Sequence, residues 1–304
     1  MFDLQRHPFL PRRGQRLARW LWILVTVALL ASCVSVPLEQ RALLLRPGEA
    51  LETQTLTCAG AETLRKAWRP GSEKGALDPK AIRIVTWNIH KEENAGWDED
   101  LAKFVKDNDI VLLQEVTLRD SLRRIVEHEN LSWVLASSFR YHTSDVGVLT
   151  ASRVSPIASC TQRIVEPLIR LPKSAIITWL PLANSTQTLA VVNVHAVNFS
   201  LFMKSYQEQF AGLADALANH DGPIIFAGDF NTWREARMQA VYETAKKLGL
   251  DEIPYATDER TLFFGRELDH IMVRGLDVIG STAISVSSSD HNPVAATLRV
   301  MAPP

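Results

Sequence analysis

The chain has few cysteines: Cys33, Cys58 and Cys160 are the three among 304 residues. Neither Cys58 nor Cys160 has a histidine or a further cysteine at metal-ligand spacing, which argues against a zinc site. Two isolated cysteines are more often small apolar residues than disulfide partners, which favours unpaired thiols and leaves the pairing open. A disulfide between them is the alternative if the chain reaches an oxidising compartment.

The sequence also lacks an excess of charge and a glycine-rich phosphate loop. Its formal net charge is −1. The first 33 residues hold five of the basic residues and one of the acidic residues, so the rest of the chain has 28 basic and 33 acidic residues and a net charge of −5. This acidic body argues against broad non-specific binding of DNA, although a local basic groove or a metal ion could supply positive charge. Without the glycine-rich loop, nothing supports nucleotide binding at a helix N-terminus.

One long apolar run is present, near the N-terminus. Arginines at positions 12 to 19 precede the apolar run Trp20 to Leu30, which holds no charged residue, and this is the arrangement of an export signal. The next residues, Leu30-Ala31-Ser32-Cys33, resemble the bacterial lipobox, whose cysteine becomes the lipidated first residue of the mature protein. We therefore expect a location on the periplasmic side of a bacterial envelope, with lipids on Cys33 tethering the chain to a membrane. An uncleaved signal anchor at 20–36 is the alternative.

Composition separates a tether from a globular body. Residues 1–33 are interpreted as the signal or anchor, 34–80 as a proline-containing tether, and 81–300 as the globular domain. Hydrophobic residues make up 46% of the chain, which is enough for a large core. Many short strand patterns alternate irregularly with a few helical patterns, unlike a βαβ repeat. This order predicts two packed sheets flanked by helices.

Hydrophobic periodicity predicts the individual elements. Helices are expected at 97–105, 121–127, 205–218 and 234–248, with a short one at 61–68 in the tether. Strands are expected at 82–87, 109–116, 131–136, 146–151, 174–180, 188–195, 223–227, 261–264, 268–273, 276–285 and 293–300. Trp87, Trp133 and Trp179 fall within strand patterns and are expected in the core. Trp233 lies beside a motif and is expected at a pocket wall.

Polar groups follow several of the predicted buried strands, where they have little reason to be unless they act on something. These motifs, in chain order, are Thr86-Trp87-Asn88-Ile89-His90-Lys91, Gln114-Glu115-Val116, Asn193-Val194-His195-Ala196-Val197-Asn198, Gly228-Asp229-Phe230-Asn231, Leu268-Asp269-His270-Ile271 and Ser289-Asp290-His291-Asn292-Pro293. Carboxylates, amides and imidazoles that converge at strand ends predict a site, and these residue types suit a metal and a phosphate.

The chemistry of phosphate-ester hydrolysis gives these residues expected roles. The reaction needs an activated water, neutralised phosphoryl oxygens and a stabilised leaving oxygen. Mg²⁺, or Mn²⁺ as a substitute, meets the last two needs and prefers oxygen ligands, so we expect Glu115 as the main ligand with Asn88 and Asp290 nearby. His291 is expected to act on the water or the phosphate because an imidazole exchanges protons near neutrality. Asp269 is expected to fix its tautomer.

In this order and spacing, the motifs resemble the endonuclease/exonuclease/phosphatase superfamily, which includes deoxyribonuclease I, apurinic-site endonucleases, inositol polyphosphate 5-phosphatases and bacterial sphingomyelinases. The resemblance covers residues 81 to 299. Segments 163–182 and 192–201 are similar to an uncharacterised bacterial branch of that superfamily. The resemblance implies an α/β fold like that of deoxyribonuclease I: a four-layer α/β/β/α sandwich of two mostly antiparallel sheets.

The resemblance also implies roles for individual residues. It assigns Asp229 and Asn231 to orientation of the nucleophile and stabilisation of the transition state, and His195 to hydrogen bonding with the phosphate. It implies the same His291–Asp269 pair as the chemistry does. One position departs from the pattern, because His90 stands where some nucleases carry a second acid, which weakens the case for a second metal ligand there. The expected substrate-binding residues are Asn198, His90 and Lys91.

Three functions of different class remain open. The first is Mg²⁺-dependent hydrolysis of a phosphodiester, with nucleic acid as the substrate, which the acidic body does not favour. The second is hydrolysis of a phospholipid or sphingomyelin-type headgroup, which a membrane tether favours, although the sequence gives no sign of an exposed aromatic hairpin that would enter a bilayer. The third is a non-catalytic binding protein on the same fold, against which the complete polar set argues. No obligate protein partner is indicated.

Overall fold

The computed structural model describes residues 33–58, 75–198, 200 and 202–302. The chain divides into residues 1–35 and residues 36–304. The described part of the first unit contains the short strand β1 (Val34–Ser35). The predicted export signal and the predicted helix at 61–68 lie outside the described residues. Within the described part of the chain, no helix is both long enough and apolar enough to span a membrane.

The larger sheet of the second unit follows a path of eight strands. They are β2 (Ala42–Leu45), β3 (Glu52–Gln54), β4 (Ile82–Asn88), β5 (Ile110–Thr117), β6 (Ser132–Tyr141), β7 (Ser144–Ser152), β16 (Leu276–Ala283) and β17 (Val294–Val300). Their order across the sheet is β16-β17-β4-β5-β7-β6-β2-β3. β4 and β5 run parallel, and the other neighbours on this path are antiparallel.

The smaller sheet has six strands. They are β8 (Ala158–Val165), β9 (Pro172–Pro181), β10 (Thr188–His195), β11 (Ile224–Asp229), β12 (Asp251–Glu252) and β15 (Asp269–Arg274), in the order β12-β15-β11-β10-β9-β8. β10 and β11 are parallel, and the remaining pairs are antiparallel. A separate hairpin joins β13 (Leu262–Phe263) to β14 (Arg266–Glu267). Both main sheets are therefore mostly antiparallel, as predicted.

Three apolar layers hold the sandwich together. Between the sheets, Ile84 and Leu112 of the larger sheet pack with Val191 and Ile225 of the smaller one. Helices α1 (Trp97–Asp107) and α2 (Asp120–His128) cover the outer face of the larger sheet, where Trp87 and Trp133 are buried. Helices α3 (Lys204–Leu217) and α4 (Glu235–Leu248) cover the smaller sheet, where Trp179 is buried. The predicted four-layer α/β/β/α architecture and the three core tryptophans are confirmed.

The segment 34–80 differs from the expected tether. β2 pairs with both β3 and β6, so its described part adds two strands to the larger sheet. The second unit begins at Val36 rather than near residue 81. Ala42, Leu43 and Leu44 of β2 are buried, so both faces of the strand are covered. In the sequence, the prolines on either side of this apolar run favoured a tether over a strand. Strand β8 was also not predicted.

The structure settles the pairing of the two cysteines that the sequence left open, against the favoured unpaired thiols. Cys58 and Cys160 form a disulfide that joins chain positions 102 residues apart. It fastens the end of the first described segment to β8, beside a backbone bridge between Thr57 and Thr161. Two cysteines so far apart in sequence give no local signal of pairing, because only the fold brings their backbones together.

Candidate active site

The candidate site lies where the parallel strand pairs end. Asn88 is the last residue of β4 and lies beside Gln114 of β5. In the smaller sheet, His195 at the end of β10 is paired with Asp229 at the end of β11, and Asp229 is paired with Asp269 at the start of β15. Parallel neighbours present their C-terminal ends at one edge of a sheet, so the topology gathers motifs that are far apart in sequence.

Asp229 is the centre of this group and is 1% exposed. Its Oδ2 atom accepts hydrogen bonds from Asn88 Nδ2 at 3.1 Å and from Asn231 Nδ2 at 3.2 Å. Its Oδ1 atom accepts the backbone N–H of Asn231 at 2.9 Å. These donors fix the orientation of the carboxylate. Gly228 permits the close packing beneath it, because a Cβ at this position (φ 139°) would overlap the backbone of Val194.

His291 and Asp269 form a buried pair. His291 Nδ1 lies 2.7 Å from Asp269 Oδ2, as predicted. Burial of the ring lowers its pKa, but the adjacent carboxylates of Asp269 and Asp229 outweigh this effect and raise the pKa of His291 to about 10. At neutral pH His291 is therefore an imidazolium that donates to Asp269. This differs from the expected imidazole that exchanges protons near neutrality.

Glu115 stands at an irregularity of β5, where the pairing with β7 shifts between Leu113 and Val116. Its positive φ of 54° turns the side chain into the site. Lys91 Nζ lies 2.9 Å from Glu115 Oε2, and Lys173 Nζ lies 3.5 Å from Glu115 Oε1. Burial raises the pKa of Glu115, but the cationic neighbours outweigh it and hold the pKa well below its usual range.

His195 lies close to the two carboxylates of Glu115 and Asp229. Its Nε2 atom lies 3.6 Å from Glu115 Oε1 and 3.4 Å from Asp229 Oδ2. Burial and the neighbouring Lys173 lower the pKa of His195 to about 4, so the ring is neutral at physiological pH. The Lys173 ammonium is 2.8 Å from the same Nε2 and can only donate, so Nε2 accepts and the proton resides on Nδ1.

Backbone strain is concentrated here. Ten non-glycine residues of the described chain have positive φ, and four of them belong to this site: His90, Lys91, Glu115 and Asn231. Such conformations are disfavoured for residues with long side chains and persist where the surroundings impose them. After Ile89, the consecutive residues His90, Lys91 and Glu92 all have positive φ, and this turn brings Lys91 to Glu115.

The site can be tested for its fit to a divalent cation. Asn88 and Glu115 supply oxygen atoms at one edge of the sandwich. The buried Asp229 carboxylate accepts a hydrogen bond from Asn88, and His195 lies between Asp229 and Glu115. This donor set suits a hard cation such as Mg²⁺. The two lysines occupy the same Glu115 carboxylate, so an incoming cation would exchange with an ammonium contact. Asp229, Asp269 and His291 also place ligand atoms within 4.8 Å of one another, but His291 is protonated there.

Asp290 and His90 lie at the outer rim. Asp290 Oδ2 is 3.8 Å from His90 Nε2, and the Asp290 side chain is 58% exposed. Its link to the buried group runs through Ser289, whose hydroxyl donates to the backbone oxygen of Asn88 at 2.7 Å. Among the residues that the structure describes, no direct contact joins the predicted ligand Asp290 to the side chains of Glu115 or Asn88. His90 Nδ1 is 2.9 Å from Asn94 Oδ1.

Asn198 borders the site on the side of α4. Its Oδ1 atom accepts a hydrogen bond from Trp233 Nε1 at 2.9 Å, so Trp233 lies beside Asn198. Behind it, the fully buried Arg237 donates to the backbone oxygens of Val197 at 2.6 Å and Asn231 at 3.1 Å. The guanidinium lies between the rings of Tyr206 and Trp233, 4.6 Å from each centroid.

Three residues of the site were not predicted. Lys173 contacts Glu115 and His195, Arg237 holds the 197–198 and 231 backbone, and Gln209 accepts from Val197 N and donates to the backbone oxygen of His195. Gln209 and Arg237 stand on the apolar faces of amphipathic helices, beside Phe210 and Met238. A polar residue at a core position of a helix is a signal that could have identified both.

The chain is similar to known proteins in sequence and in fold. The sequence pattern described as "Endonuclease/Exonuclease/phosphatase family" matches residues 85–291. A UPF0294 protein of Klebsiella pneumoniae is 42% identical over 215 residues, which cover 70% of this chain and 80% of that protein.

Among solved structures, an endonuclease/exonuclease/phosphatase of Bacteroides vulgatus superposes with a TM-score of 0.59 at 17% identity, and covers 73% of this chain and 99% of its own. The catalytic domain of human Nocturnin, with a bound sulfate anion, gives a TM-score of 0.55 at 19% identity and covers 77% of this chain and 100% of its own. A mannosyl-6-phosphatase of Bacteroides thetaiotaomicron gives 0.54 at 15% identity, over 71% and 99%. These structures share the fold.

Proposed function

The chain belongs to the endonuclease/exonuclease/phosphatase family, and we propose that it hydrolyses a phosphodiester with Mg²⁺ as its cofactor. The observation that carries this proposal is the buried group in which Asn88 and Asn231 orient Asp229 while Asp269 holds the His291 ring. A fixed carboxylate beside a fixed cation suits the two tasks of the reaction: accepting a proton from water and stabilising charge on phosphorus.

Asp229 acts as the general base in this mechanism. Its carboxylate oxygens are held by amide donors, so a water placed against it transfers a proton as the oxygen–phosphorus bond forms. The ester P–O bond on the opposite side then breaks. His291 donates to Asp269 through Nδ1. Its Nε2–H would donate a hydrogen bond to a phosphoryl oxygen. Asn231 keeps the base aligned through both its backbone and its side chain.

Positive charge for the phosphate comes from several groups. Lys91 and Lys173 already lie against Glu115, and a phosphate that enters this edge meets both ammonium groups. His195 is neutral and joins Lys173 to the site rather than carrying charge itself. Glu115 and Asn88 would hold Mg²⁺, which would neutralise the phosphoryl oxygens and the leaving oxygen. Mn²⁺ is the expected substitute.

A substrate and metal panel tests this proposal. The purified full chain is assayed on bis(p-nitrophenyl) phosphate with Mg²⁺, with Mn²⁺ and after chelation by EDTA, and then on DNA, RNA and phospholipid. We expect turnover with Mg²⁺ or Mn²⁺ and a loss of at least about a hundredfold with EDTA. Absence of turnover under every metal condition would favour the non-catalytic binding protein instead. Undiminished turnover in EDTA would remove the proposed cofactor.

Hydrolysis of a lipid headgroup is the second candidate, because one surface feature that the sequence did not predict favours it. The hairpin of β13 and β14 exposes apolar side chains beside the site. The expectation that no exposed aromatic hairpin exists was therefore wrong. Its two short strands fall within a stretch where turn residues and apolar residues are mixed, so periodicity alone could not separate a buried strand from an exposed tip.

We further propose that the protein works on the periplasmic side of a bacterial envelope, tethered by lipid at Cys33. The basic and apolar pattern of residues 12–33 supports export. The disulfide between Cys58 and Cys160 supports an oxidising compartment, since disulfides persist in such compartments and are rare in the cytosol. Replacement of Cys33 by Ser is expected to move the protein out of the lipid-labelled membrane fraction, and unchanged lipid labelling would contradict the tether.

A further inference from the structure

The hairpin beside the site exposes three consecutive apolar side chains. Leu262 of β13 pairs with Glu267 of β14, and Phe263 pairs with Arg266. The exposed fractions are 59% for Leu262, 51% for Phe263 and 77% for Phe264. Single exposed apolar residues are ordinary on soluble proteins, but a run of them at a projecting tip marks an interaction surface.

The turn of this hairpin retains an aromatic residue where folding favours another type. Phe264 and Gly265 connect the strands with φ values of 51° and 73°. Two positive φ values are the geometry of a two-residue type I′ turn, which prefers Asn, Asp or Gly at its first position. A bulky side chain in this conformation is disfavoured. Phe264 is therefore explained better by contact with a partner than by the fold.

The base of the hairpin is fastened to the catalytic loop. Thr261 Oγ1 donates to the backbone oxygen of Asp290 at 3.3 Å and accepts from the backbone N–H of Asn292 at 2.9 Å. These two partners flank His291 in sequence. The apolar tip thus has a fixed position relative to the residue that we propose binds the phosphate.

Further apolar groups extend the same rim. The ring centroids of Trp233 and Phe264 are 6.3 Å apart. The Arg234 guanidinium lies 5.4 Å from the Trp233 ring and 2.9 Å from the sulfur of Met203, next to Phe202, which is 79% exposed. Together, Leu262, Phe263, Phe264, Trp233 and Phe202 form what we call the rim patch.

The charges beside the rim patch fit a lipid surface better than a nucleic acid. Arg266 is paired with Glu235 at 2.8 Å, and Arg260 is paired with Asp258 at 2.8 Å. A groove for single-stranded nucleic acid combines aromatic rings with basic side chains that follow the phosphates, whereas these cations are matched by carboxylates. The apolar run Trp20 to Leu30 provides an independent reason to expect the chain at a membrane.

We propose that the rim patch docks on a lipid bilayer, with Leu262, Phe263 and Phe264 entering its interfacial region, so that the site meets the phosphate esters of lipid headgroups. Docking rests on the exposed apolar tip and its paired charges, and it does not require that the site be active. The substrate class rests on the proposed function as well, because it requires that the adjoining site hydrolyses phosphate esters.

Docking is tested with a fluorophore at the tip. The full chain carrying Cys33→Ser and Phe264→Cys is labelled with an environment-sensitive dye and mixed with vesicles of phosphatidylcholine and phosphatidylglycerol. The matched control carries the label at Ile279→Cys, since Ile279 is a 55% exposed apolar residue on β16. We expect at least about a twofold rise in emission at 264, with quenching by spin-labelled lipid, and no change at 279. Equal responses at both positions, or a response at 264 to oligothymidylate but not to vesicles, would overturn the proposal.

The substrate class is tested with Phe264→Asn, which removes the apolar side chain and supplies a residue that the turn prefers. The midpoint of thermal unfolding is expected to be unchanged or higher, so loss of folding does not confuse the result. The rate on phosphatidylglycerol in vesicles, divided by the rate on bis(p-nitrophenyl) phosphate, is expected to fall about tenfold, and Ile279→Asn is expected to leave this ratio unchanged. An unchanged ratio in Phe264→Asn would refute the lipid substrate. If the wild-type chain hydrolyses neither compound, the proposed function fails, while the fluorophore result still decides docking.

Discussion

His291 is the residue whose surroundings most alter the chemistry expected of it. An isolated imidazole titrates near neutrality, and the sequence offered no reason to expect otherwise. In the structure the ring is buried between two carboxylates, and their negative charge keeps it protonated. The residue then supplies positive charge and a hydrogen bond, while Asp229 remains the group suited to accept a proton.

Replacement of Asp269 by Asn should lower the pKa of His291 from about 10 toward its ordinary value of 6.5. The folded-state pKa lies above the unfolded value, so the stabilising effect of the charged ring is complete below about pH 6.5 and is lost as the pH rises through about 10. The pKa is measured by NMR titration of the ring, and the stability by unfolding at several pH values. A His291 pKa near 6.5 in the wild-type protein would contradict this account.

Arg237 is expected to position the loop rather than to touch substrate. Arg237→Met removes the donors to Val197 and Asn231 and leaves buried carbonyl oxygens unpaired, so the free energy of unfolding should fall by about 3 kcal/mol. The value of kcat should fall at least about tenfold because Asn231 loses its support. Denaturant unfolding and steady-state kinetics measure both effects. Arg124→Met on the exposed face of α2 is the control, and equal effects of the two substitutions would contradict the positioning role.

Residues at strand ends could be predicted from the sequence because their signal is local. Asn88, Glu115 and Asp229 each follow an apolar run, and the structure brings all three to one edge. Lys173 could not be found in this way, because an isolated lysine at the start of a strand is usually exposed. Its contacts with Glu115 and His195 exist only after β9 and β5 have been placed in facing sheets.

At the scale of elements, a departure from regular strand geometry positions a site residue in each of two strands, β5 and β11. The shifted register of β5 turns Glu115 out of the core pattern that Ile110 to Leu113 establish. The glycine in β11 lets its end approach β10 closely enough for Asp229 to lie beside His195. Periodicity predicted both strands, but it carries no information about a bulge or about the space above a glycine.

Gly228→Ala should therefore be far more damaging than an ordinary glycine substitution. The new Cβ would overlap the Val194 backbone and the residue would keep an unfavourable φ, so the free energy of unfolding should fall by at least about 2 kcal/mol. Gly280→Ala is the matched control, because a Cβ at Gly280 meets no atom within 4 Å. Both variants are compared by denaturant unfolding. Equal stabilities would show that the close approach of β10 and β11 does not require glycine.

For the whole molecule, the sequence predicted the sheets and helices of the four layers better than the features at their edges, namely β2, the disulfide and the exposed hairpin. The two sheets and the flanking helices follow from long periodic segments, which fix their own faces. These edge features depend on tertiary structure: β2 joins the larger sheet, Cys58 is bonded to Cys160, and Leu262 to Phe264 are exposed. No local pattern specifies these relations, so the sequence suggested a tether, left the cysteine pairing open and gave no sign of an exposed hairpin.

The disulfide should contribute substantially to stability. It closes a loop with a sequence separation of 102, so its loss through Cys58→Ser with Cys160→Ser should lower the free energy of unfolding by about 4 kcal/mol. Denaturant unfolding under oxidising conditions measures the difference, with Cys33→Ser as the control that leaves this bridge intact. A double variant as stable as the control would mean that the bridge adds nothing to the fold.

The central claim is that the oriented carboxylate of Asp229 performs phosphoester hydrolysis, and its most direct test is the kcat of Asp229→Asn on bis(p-nitrophenyl) phosphate with Mg²⁺. Asp277→Asn is the matched control, because Asp277 is a half-buried aspartate outside the site, paired with Arg299 at 2.9 Å. The account predicts that kcat falls at least about a thousandfold in Asp229→Asn, with the fold preserved, and stays at the wild-type value in Asp277→Asn. Wild-type turnover by folded Asp229→Asn would contradict it.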